Sequence, residues 1–127
     1  MGIPLPELVR CLMITGEVGI QYNEDVAKMF IAAARSKQKG ALVCNMRNDV
    51  VDVSDFVSAL KQEVPEAQIT YETDNPLPFP FDVDISNPKE LLGRVPHTPM
   101  DTAIQQSLEQ YKVLLAQNRL DLGQLDN

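Results

Sequence analysis

The feature that most constrains the fold is a short apolar run, ALVCNM at residues 41–46, which lies between two helical patterns. The run is nearly unbroken and has a β-branched centre, which is typical of a strand buried on both faces. Gly40 separates it from the helical pattern before it. A helix, a glycine and a buried strand in succession favour an α/β arrangement in which helices cover short strands.

Hydrophobic spacing predicts helices on both sides of this run. The first helix covers about residues 24–37, with Asn23 as its cap and two acidic residues in its first turn. The second covers about residues 55–64, with Ser54 as its cap and Pro65 ending it.

Further elements are predicted towards both ends of the chain. Residues 6–16 predict a short helix with a proline in its first turn and a glycine as its stop. Residues 68–72, QITYE, alternate as a strand does. A short helix at 88–93 is followed by a long one that Thr98 caps and Pro99 begins. The long helix carries an apolar stripe of Met100, Ala103, Ile104, Leu108, Tyr111 and Leu115.

A proline-rich segment interrupts this succession at residues 76–80. Alternate prolines lack amide donors and fix φ, which excludes both helix and central strand and predicts an extended, polyproline-like segment. Such a segment could be a linker, a ligand of the SH3 type or part of a binding cleft. Asp82 and Asp84 follow it two residues apart, a pattern more typical of a solvated loop than of a catalytic pair.

Charge and hydropathy exclude several classes of function. The net charge is −7, and scattered Lys and Arg residues do not form the basic patch that nucleic-acid binding requires. The sequence has no apolar run long enough to span a membrane, and prolines and a glutamate occupy the place of a signal peptide's apolar middle. We therefore expect no nucleic-acid partner, no membrane span and a cytoplasmic location.

The residues that usually bind metals or form disulfides are few. Cys11 and Cys44 lie far apart in apolar surroundings and are interpreted as reduced core thiols. His97 is the single histidine, and no second His or Cys lies near it in the sequence. The sequence predicts no metal site.

Five groups of motifs follow one another in a recognisable order. They are YNEDVAKMFIAAA at 22–34, ALVCNM at 41–46, VVDVSDFVSAL at 50–60, DIS with ELLG at 84–93, and VPHTPMDTAIQQSLEQY at 95–111. In this order and spacing they resemble the C-terminal third of extended short-chain dehydrogenases/reductases, the NAD-dependent epimerase/dehydratase family. The resemblance covers about residues 17–117. It implies that residues 1–127 form one domain, an α/β (α+β) fragment that corresponds to the family's substrate-side lobe.

The same resemblance implies where a small-molecule substrate would lie. It places cleft-lining residues at Gln21, Tyr22 and Asn45, and it places Pro78 and Phe79 along the mouth of the cleft. Asp25, in the first turn of the helix, is interpreted as complementing the helix dipole rather than as catalytic.

The residues that carry charge recognition and catalysis in the family have no counterpart here. Two stretches that often contain an arginine for a sugar-nucleotide diphosphate, residues 16–21 and 74–81, contain no Arg or Lys. This favours a smaller or less charged carbonyl or hydroxyl compound.

The sequence has no Gly-x-x-Gly-x-x-Gly turn, and the residues four positions after its tyrosines are Val26, Asn75 and Leu115 rather than Lys. We expect no catalytic residue and no bound cofactor in this chain. NAD(P) would belong to the nucleotide-binding part of the parent family, and the chain would be inactive alone.

Two kinds of partner follow from this interpretation. A lobe of this kind would expose the apolar faces of ALVCNM and of the two helices at 24–37 and 55–64, unless a partner covers them. We expect a homodimer or larger assembly, or contact with a separate nucleotide-binding domain. The alternative is an independent acidic protein–protein interaction module that uses the proline segment or the same apolar faces.

Overall fold

A computed structural model describes residues 10–12, 16–74, 76, 78, 80, 82–121 and 123. Within these residues the fold is mixed α/β, as predicted. In chain order, the elements are β1 (Arg10–Leu12), β2 (Glu17–Ile20), α1 (Asn23–Arg35), β3 (Asp49–Asp52), α2 (Val53–Glu63), β4 (Ile69–Tyr71), α3 (Ser86–Leu92) and α4 (Met100–Ala116).

The strands form two separate two-stranded sheets. β1 and β4 pair in parallel, whereas β2 and β3 pair antiparallel, with Glu17 opposite Asp52. The second ladder is extended at one end, where the Val53 amide donates to the Gly16 carbonyl at 3.0 Å. Gly16 has a φ of 80°, a conformation that side chains disfavour.

The core lies around α2, which contacts β3, β4 and α4. Val53 and Val57 of α2 are buried, and Ile104 of α4 and Met29 of α1 are buried as well. α1 and α2 confirm the helices predicted at 24–37 and 55–64, with small shifts in their bounds. In the described part of the chain, no helix is long and apolar enough to cross a membrane.

The predicted helix at residues 6–16 is wrong where the structure describes it. Residues 10–12 form a strand whose residues lie opposite those of β4, so that Arg10 aligns with Ile69. Residues 1–9 and 13–15 lie outside the described residues. Pairing with a distant strand overrides the local helical signal of a short segment.

The predicted buried strand at residues 41–46 is also wrong. The segment forms no regular structure, and Leu42 and Val43 are exposed. Neither sheet in the described part of the chain includes this segment. Without strand neighbours on both sides, its apolar side chains remain at the surface.

Three predicted helix caps are placed differently. Tyr22 rather than Asn23 precedes the first turn of α1. Asp52 caps α2 by accepting a hydrogen bond from the Ser54 amide at 2.8 Å, so Ser54 is the donor rather than the cap. Thr98 does not cap α4, because its side chain is turned towards α1.

The apolar stripe of α4 is buried only in its first half. Ile104 is buried, whereas Tyr111 and Leu115 are exposed. The proline segment is described only at residues 76, 78 and 80, which lie outside the helices and the two sheets and are exposed. This agrees with the predicted non-helical conformation.

Candidate functional site

A buried carboxylate at the start of α1 organises the region where the predicted site residues lie. Asp25 is only 3% exposed. Its Oδ2 accepts hydrogen bonds from the Asn48 side-chain amide and from the Thr98 backbone amide, the latter at 2.7 Å. Its Oδ1 accepts from the Thr98 hydroxyl at 3.0 Å. The Asn48 Oδ1 in turn accepts from the Tyr22 backbone amide at 2.9 Å.

These four residues, Tyr22, Asp25, Asn48 and Thr98, form what we call the Asp25 network. It joins the start of α1, the residue before β3 and the loop before α4. A carboxylate with three protein donors is held in place, and its burial leaves little room for a reacting group. The geometry therefore gives Asp25 a structural role.

A shallow depression lies beside the Asp25 network. Its enclosed volume is about 10 Å³, which admits no more than one water molecule. Gln21, Asn45 and Arg47 line it, together with Asp25 and Asn48 of the Asp25 network. Its apolar lining consists of Val26, Met29, Met46, Ile85, Pro88, Val95 and Pro96.

The side chains of Gln21, Asn45 and Arg47 each have a hydrogen-bond partner on another segment. The Gln21 side-chain amide donates to the Met46 carbonyl. Asn45 Nδ2 donates to the Asp84 carbonyl at 3.4 Å, and Arg47 Nε donates to Asp82 Oδ1 at 2.5 Å. The last two contacts thus hold residues 82–84 against residues 45–47.

The predicted substrate-contacting residues are divided between the depression and its surroundings. Gln21 and Asn45 come together at the depression. Pro78 is exposed, and Phe79 lies outside the described residues. Contact of any of them with a substrate stays a prediction.

Tyr22 is buried and contributes its backbone amide to the Asp25 network. Burial raises the pKa of its phenol above the ordinary value, and the charges of Glu24 and Asp25 raise it further. The phenol is therefore neutral at physiological pH and unsuited to act as a base there.

A second concavity is larger and mainly apolar. It has a volume of about 330 Å³ and lies between α1, the segment at 36–46 and the end of α3. Its apolar and sulfur-bearing lining residues are Met29, Phe30, Ala33, Leu42, Cys44, Met46, Leu91 and Leu92. Cys44 is partly exposed there, which corrects the prediction of a buried core thiol.

The remaining titratable groups near the site form no metal centre. His97 Nε2 lies 2.8 Å from Asp49 Oδ1, in a pair whose members are both partly exposed. Among the described residues, no cluster of three or more His, Cys, Asp or Glu side chains could hold a metal ion.

Sequence reasoning missed Asn48, Thr98 and Arg47 as members of this region. Thr98 was predicted as a helix cap because it precedes a proline and a helix, and a cap and a donor to a distant carboxylate have the same sequence signature. Arg47 lies outside residues 16–21 and 74–81, the two stretches in which the family often has an arginine. Its partner is far along the chain, so no local pattern indicates the contact.

No protein-family model matches the sequence, and no curated protein is similar enough in sequence to count as a relative. Solved structures do match. One is TunA, an NAD-dependent NDP-hexosamine 5,6-dehydratase involved in tunicamycin biosynthesis, with a TM-score of 0.67 and 18% identity over 83% of this chain and 36% of that chain. Another is MoeE5 in complex with UDP-glucuronic acid and NAD, with a TM-score of 0.68 and 17% identity over 83% of this chain and 37% of that one.

The likeness is one of fold. This chain spans little more than a third of the length of either structure. Most of its residues therefore have the fold of one part of each of these two longer proteins, in agreement with the resemblance seen in the motifs.

Proposed function

We propose that residues 1–127 act as one unit, the substrate-side part of an NAD-dependent sugar-modifying enzyme of the epimerase/dehydratase kind. The observation that carries the proposal is the fold match to parts of TunA and MoeE5 over 83% of this chain. The order of the five groups of motifs supports the same assignment independently, because it does not depend on the fold comparison.

In this role the depression is one wall of the substrate site. The amide side chains of Gln21 and Asn45 can each donate to and accept from hydroxyl or carbonyl groups, above an apolar floor. Pro78 and Phe79 would run along the mouth of the cleft. The enclosed volume is too small for a sugar, so the opposite wall would come from a nucleotide-binding unit.

The chemistry would also come from that unit. The sequence has neither the Gly-rich turn that receives a pyrophosphate nor a tyrosine followed four residues later by lysine. Asp25 is engaged by three donors and Tyr22 is neutral, so neither is poised as a base. We propose that the chain binds no NAD(P) and catalyses no hydride transfer alone.

An amide-resolved NMR titration tests this proposal. D-Glucose, as an uncharged hydroxyl compound, should shift amides at residues 21 and 45–48 saturably in the millimolar range, and NAD should shift none. A Gln21→Ala/Asn45→Ala double variant should lose the glucose response, whereas Lys61→Met, remote from the depression, should keep it. Saturable NAD binding at micromolar concentration, or glucose shifts elsewhere on the surface, would contradict the proposal.

The exposed apolar residues favour a second role, association. Phe30 is 65% exposed and Val43 is 84% exposed, and Ile31 and Leu42 lie beside them in sequence and are also exposed. We call these four residues the α1–loop surface. Large apolar side chains at such exposure are typical of an interface rather than of a monomer's surface.

We propose that a second copy of the chain covers the α1–loop surface, and charge supports this choice of partner. Residues 26–48 contain five Lys or Arg residues and no Asp or Glu. The rest of the chain contains all eighteen acidic residues and only six basic ones. One copy can therefore present an acidic surface to the basic segment of another, which favours association at low salt.

Light scattering during size-exclusion chromatography tests the association. We expect a dimer or larger assembly at tens of micromolar and low salt, and dissociation when Val43→Asp places a charge in the α1–loop surface. Thr73→Asp adds the same charge at an exposed position elsewhere and should leave the assembly intact. A stable monomer of 14.1 kDa at low salt would refute self-association and leave a separate nucleotide-binding domain as the partner to test.

A further inference from the structure

We propose that Arg47 is an anion-binding residue, and that the compound which binds at the depression carries a carboxylate or phosphate that takes the place now held by Asp82. The inference rests on the proposed function and specifies its substrate class. It concerns a hydroxylated small molecule with one anionic group.

The position of Arg47 is the first support. Its side chain is 23% exposed and lines the depression next to Asn45 and Asn48. Its Nε donates to Asp82 Oδ1, and one terminal nitrogen donates to the Asn48 carbonyl at 3.4 Å. A guanidinium has five donors in a planar fork that matches a carboxylate or phosphate with two parallel hydrogen bonds. The single contact to Asp82 uses only part of this capacity.

The character of Asp82 is the second support. Its side chain is 48% exposed and extends from a segment without helix or strand. Its Oδ1 also accepts from the Val83 amide at 2.7 Å, so the carboxylate keeps a local donor when Arg47 releases it. A partly exposed ion pair at the surface contributes little to stability, because water solvates the Asp82 carboxylate when the pair is broken. Asp82 is therefore an anion that a ligand can replace.

The surroundings of Arg47 fit a hydroxylated ligand. Gln21 and Asn45 offer amide groups to hydroxyls, and Pro88 and Val95 offer an apolar floor. Asp25 is the other ionisable residue of the depression, but it is buried and its two oxygens accept from three donors. Its charge is directed to those donors rather than to the open side.

Residues 82–84 are tied to residues 45–47 by the Arg47–Asp82 pair and by the Asn45 amide on the Asp84 carbonyl. A ligand anion at Arg47 would break the first tie and leave the second in place.

Titration calorimetry and amide-resolved NMR with D-glucuronate, glucose 6-phosphate and D-glucose test the inference at constant ionic strength. The wild type should bind glucuronate or glucose 6-phosphate about tenfold more tightly than glucose, a ratio that corresponds to about 1.4 kcal/mol. Asp82→Asn should strengthen binding of the anionic compounds several-fold, because it removes the competing carboxylate. Arg47→Met should abolish the preference for them, and Lys61→Met, which removes a charge elsewhere, should not.

The Asp82→Asn variant distinguishes anion binding by Arg47 from a purely structural role of the Arg47–Asp82 ion pair. If the ion pair only anchors the segment, this variant lowers stability and leaves anion affinity unchanged or weaker, and the inference is wrong. Anion-induced shifts at residues 35–39 rather than 45–48 would also overturn it. Equal binding of glucose and glucuronate at residues 21 and 45–48 would overturn the inference while leaving the proposed function intact. Absence of binding by all three compounds would overturn both.

Discussion

Replacing Asp25 by alanine should destabilise the protein more than any other change of a polar residue in the described region. The substitution removes an acceptor that is 3% exposed and leaves the Asn48 amide and the Thr98 amide without their partner. Asn48 is itself buried, so water cannot readily replace the lost carboxylate. Three segments would lose their common contact at once.

The magnitude follows from the three hydrogen bonds. A hydrogen bond to a charged group contributes about 1.5–3 kcal/mol, and buried donors left unsatisfied add a desolvation cost. Because the three bonds share one acceptor and are not additive, we expect a loss of about 3–4 kcal/mol. Small domains have a total stability of about 5–15 kcal/mol, so the loss is a large fraction of the total. The melting temperature should fall by about 10–15 °C.

Urea unfolding followed by circular dichroism measures this loss. Asp25→Asn is the graded variant, since its amide oxygen can still accept at the Oδ2 position while the charge is removed, and it should cost less than alanine. Glu24→Ala is the matched control, because Glu24 is adjacent and exposed and its ion pair with Lys28 spans 3.9 Å. The control should change the free energy of unfolding by less than about 0.5 kcal/mol.

The reasoning would be refuted if Asp25→Ala unfolded within about 0.5 kcal/mol of the wild type with an unchanged denaturant slope. The Asp25 network would then not hold the three segments together. A loss equal to that of Glu24→Ala would lead to the same conclusion.

Three further predictions concern stability. Thr98→Val keeps the backbone donor to Asp25 but loses the hydroxyl, so urea unfolding should show a loss of about 1–2 kcal/mol, smaller than for Asp25→Ala. Hydrogen bonds from the Ser54 hydroxyl and then the Ser54 amide lower the pKa of Asp52 below its ordinary 3.8. The stability Asp52 contributes is therefore complete above that pH and lost as pH falls through the lower folded pKa, and Asp52→Asn should flatten this acid loss in thermal melts. Gly93 has a φ of 75° and ψ of −103°, so Gly93→Ala should cost about 1–3 kcal/mol, and a melting temperature equal to the wild type would contradict the strain.

The parts of the fold that sequence predicted well are those governed by local patterns. α1 and α2 have an apolar residue every three or four positions and acidic residues in the first turn, and their predicted bounds differ by only a few residues from those observed. β4 was indicated by its alternating residues at 68–72. These patterns involve residues that are close together in the sequence, so a single sequence is enough to predict the elements.

The parts that failed depend on neighbours in space. β1 is a strand because β4 lies beside it, and residues 41–46 are not a strand because neither described sheet includes them. An apolar run is buried only if another strand or helix packs on it. The sequence of residues 41–46 does not indicate whether any element packs on Val43. Composition and periodicity therefore predicted the helices at 24–37 and 55–64 correctly, and they predicted the helix at 6–16 and the strand at 41–46 incorrectly.

The candidate site shows the same division. Gln21 and Asn45 were placed near a cleft by motif resemblance, and the structure brings them to one depression. Arg47 was not anticipated, because its contact with Asp82 joins positions that only the tertiary fold brings together. Polar residues that meet across loops carry no periodic signal.

The parallel pairing of β1 with β4 has a consequence for the order in which the chain folds. The chain between the antiparallel strands β2 and β3 contains one helix, α1. The chain between the parallel strands β1 and β4 is longer and contains both α1 and α2. Closing the longer loop is slower, because more of the chain must be ordered before the contact is made. β1 should therefore pair with β4 after β2 has paired with β3, and its amides should exchange with solvent hydrogen sooner than those of β3. Since every member of the Asp25 network lies after residue 16, detachment of β1 leaves the candidate site assembled.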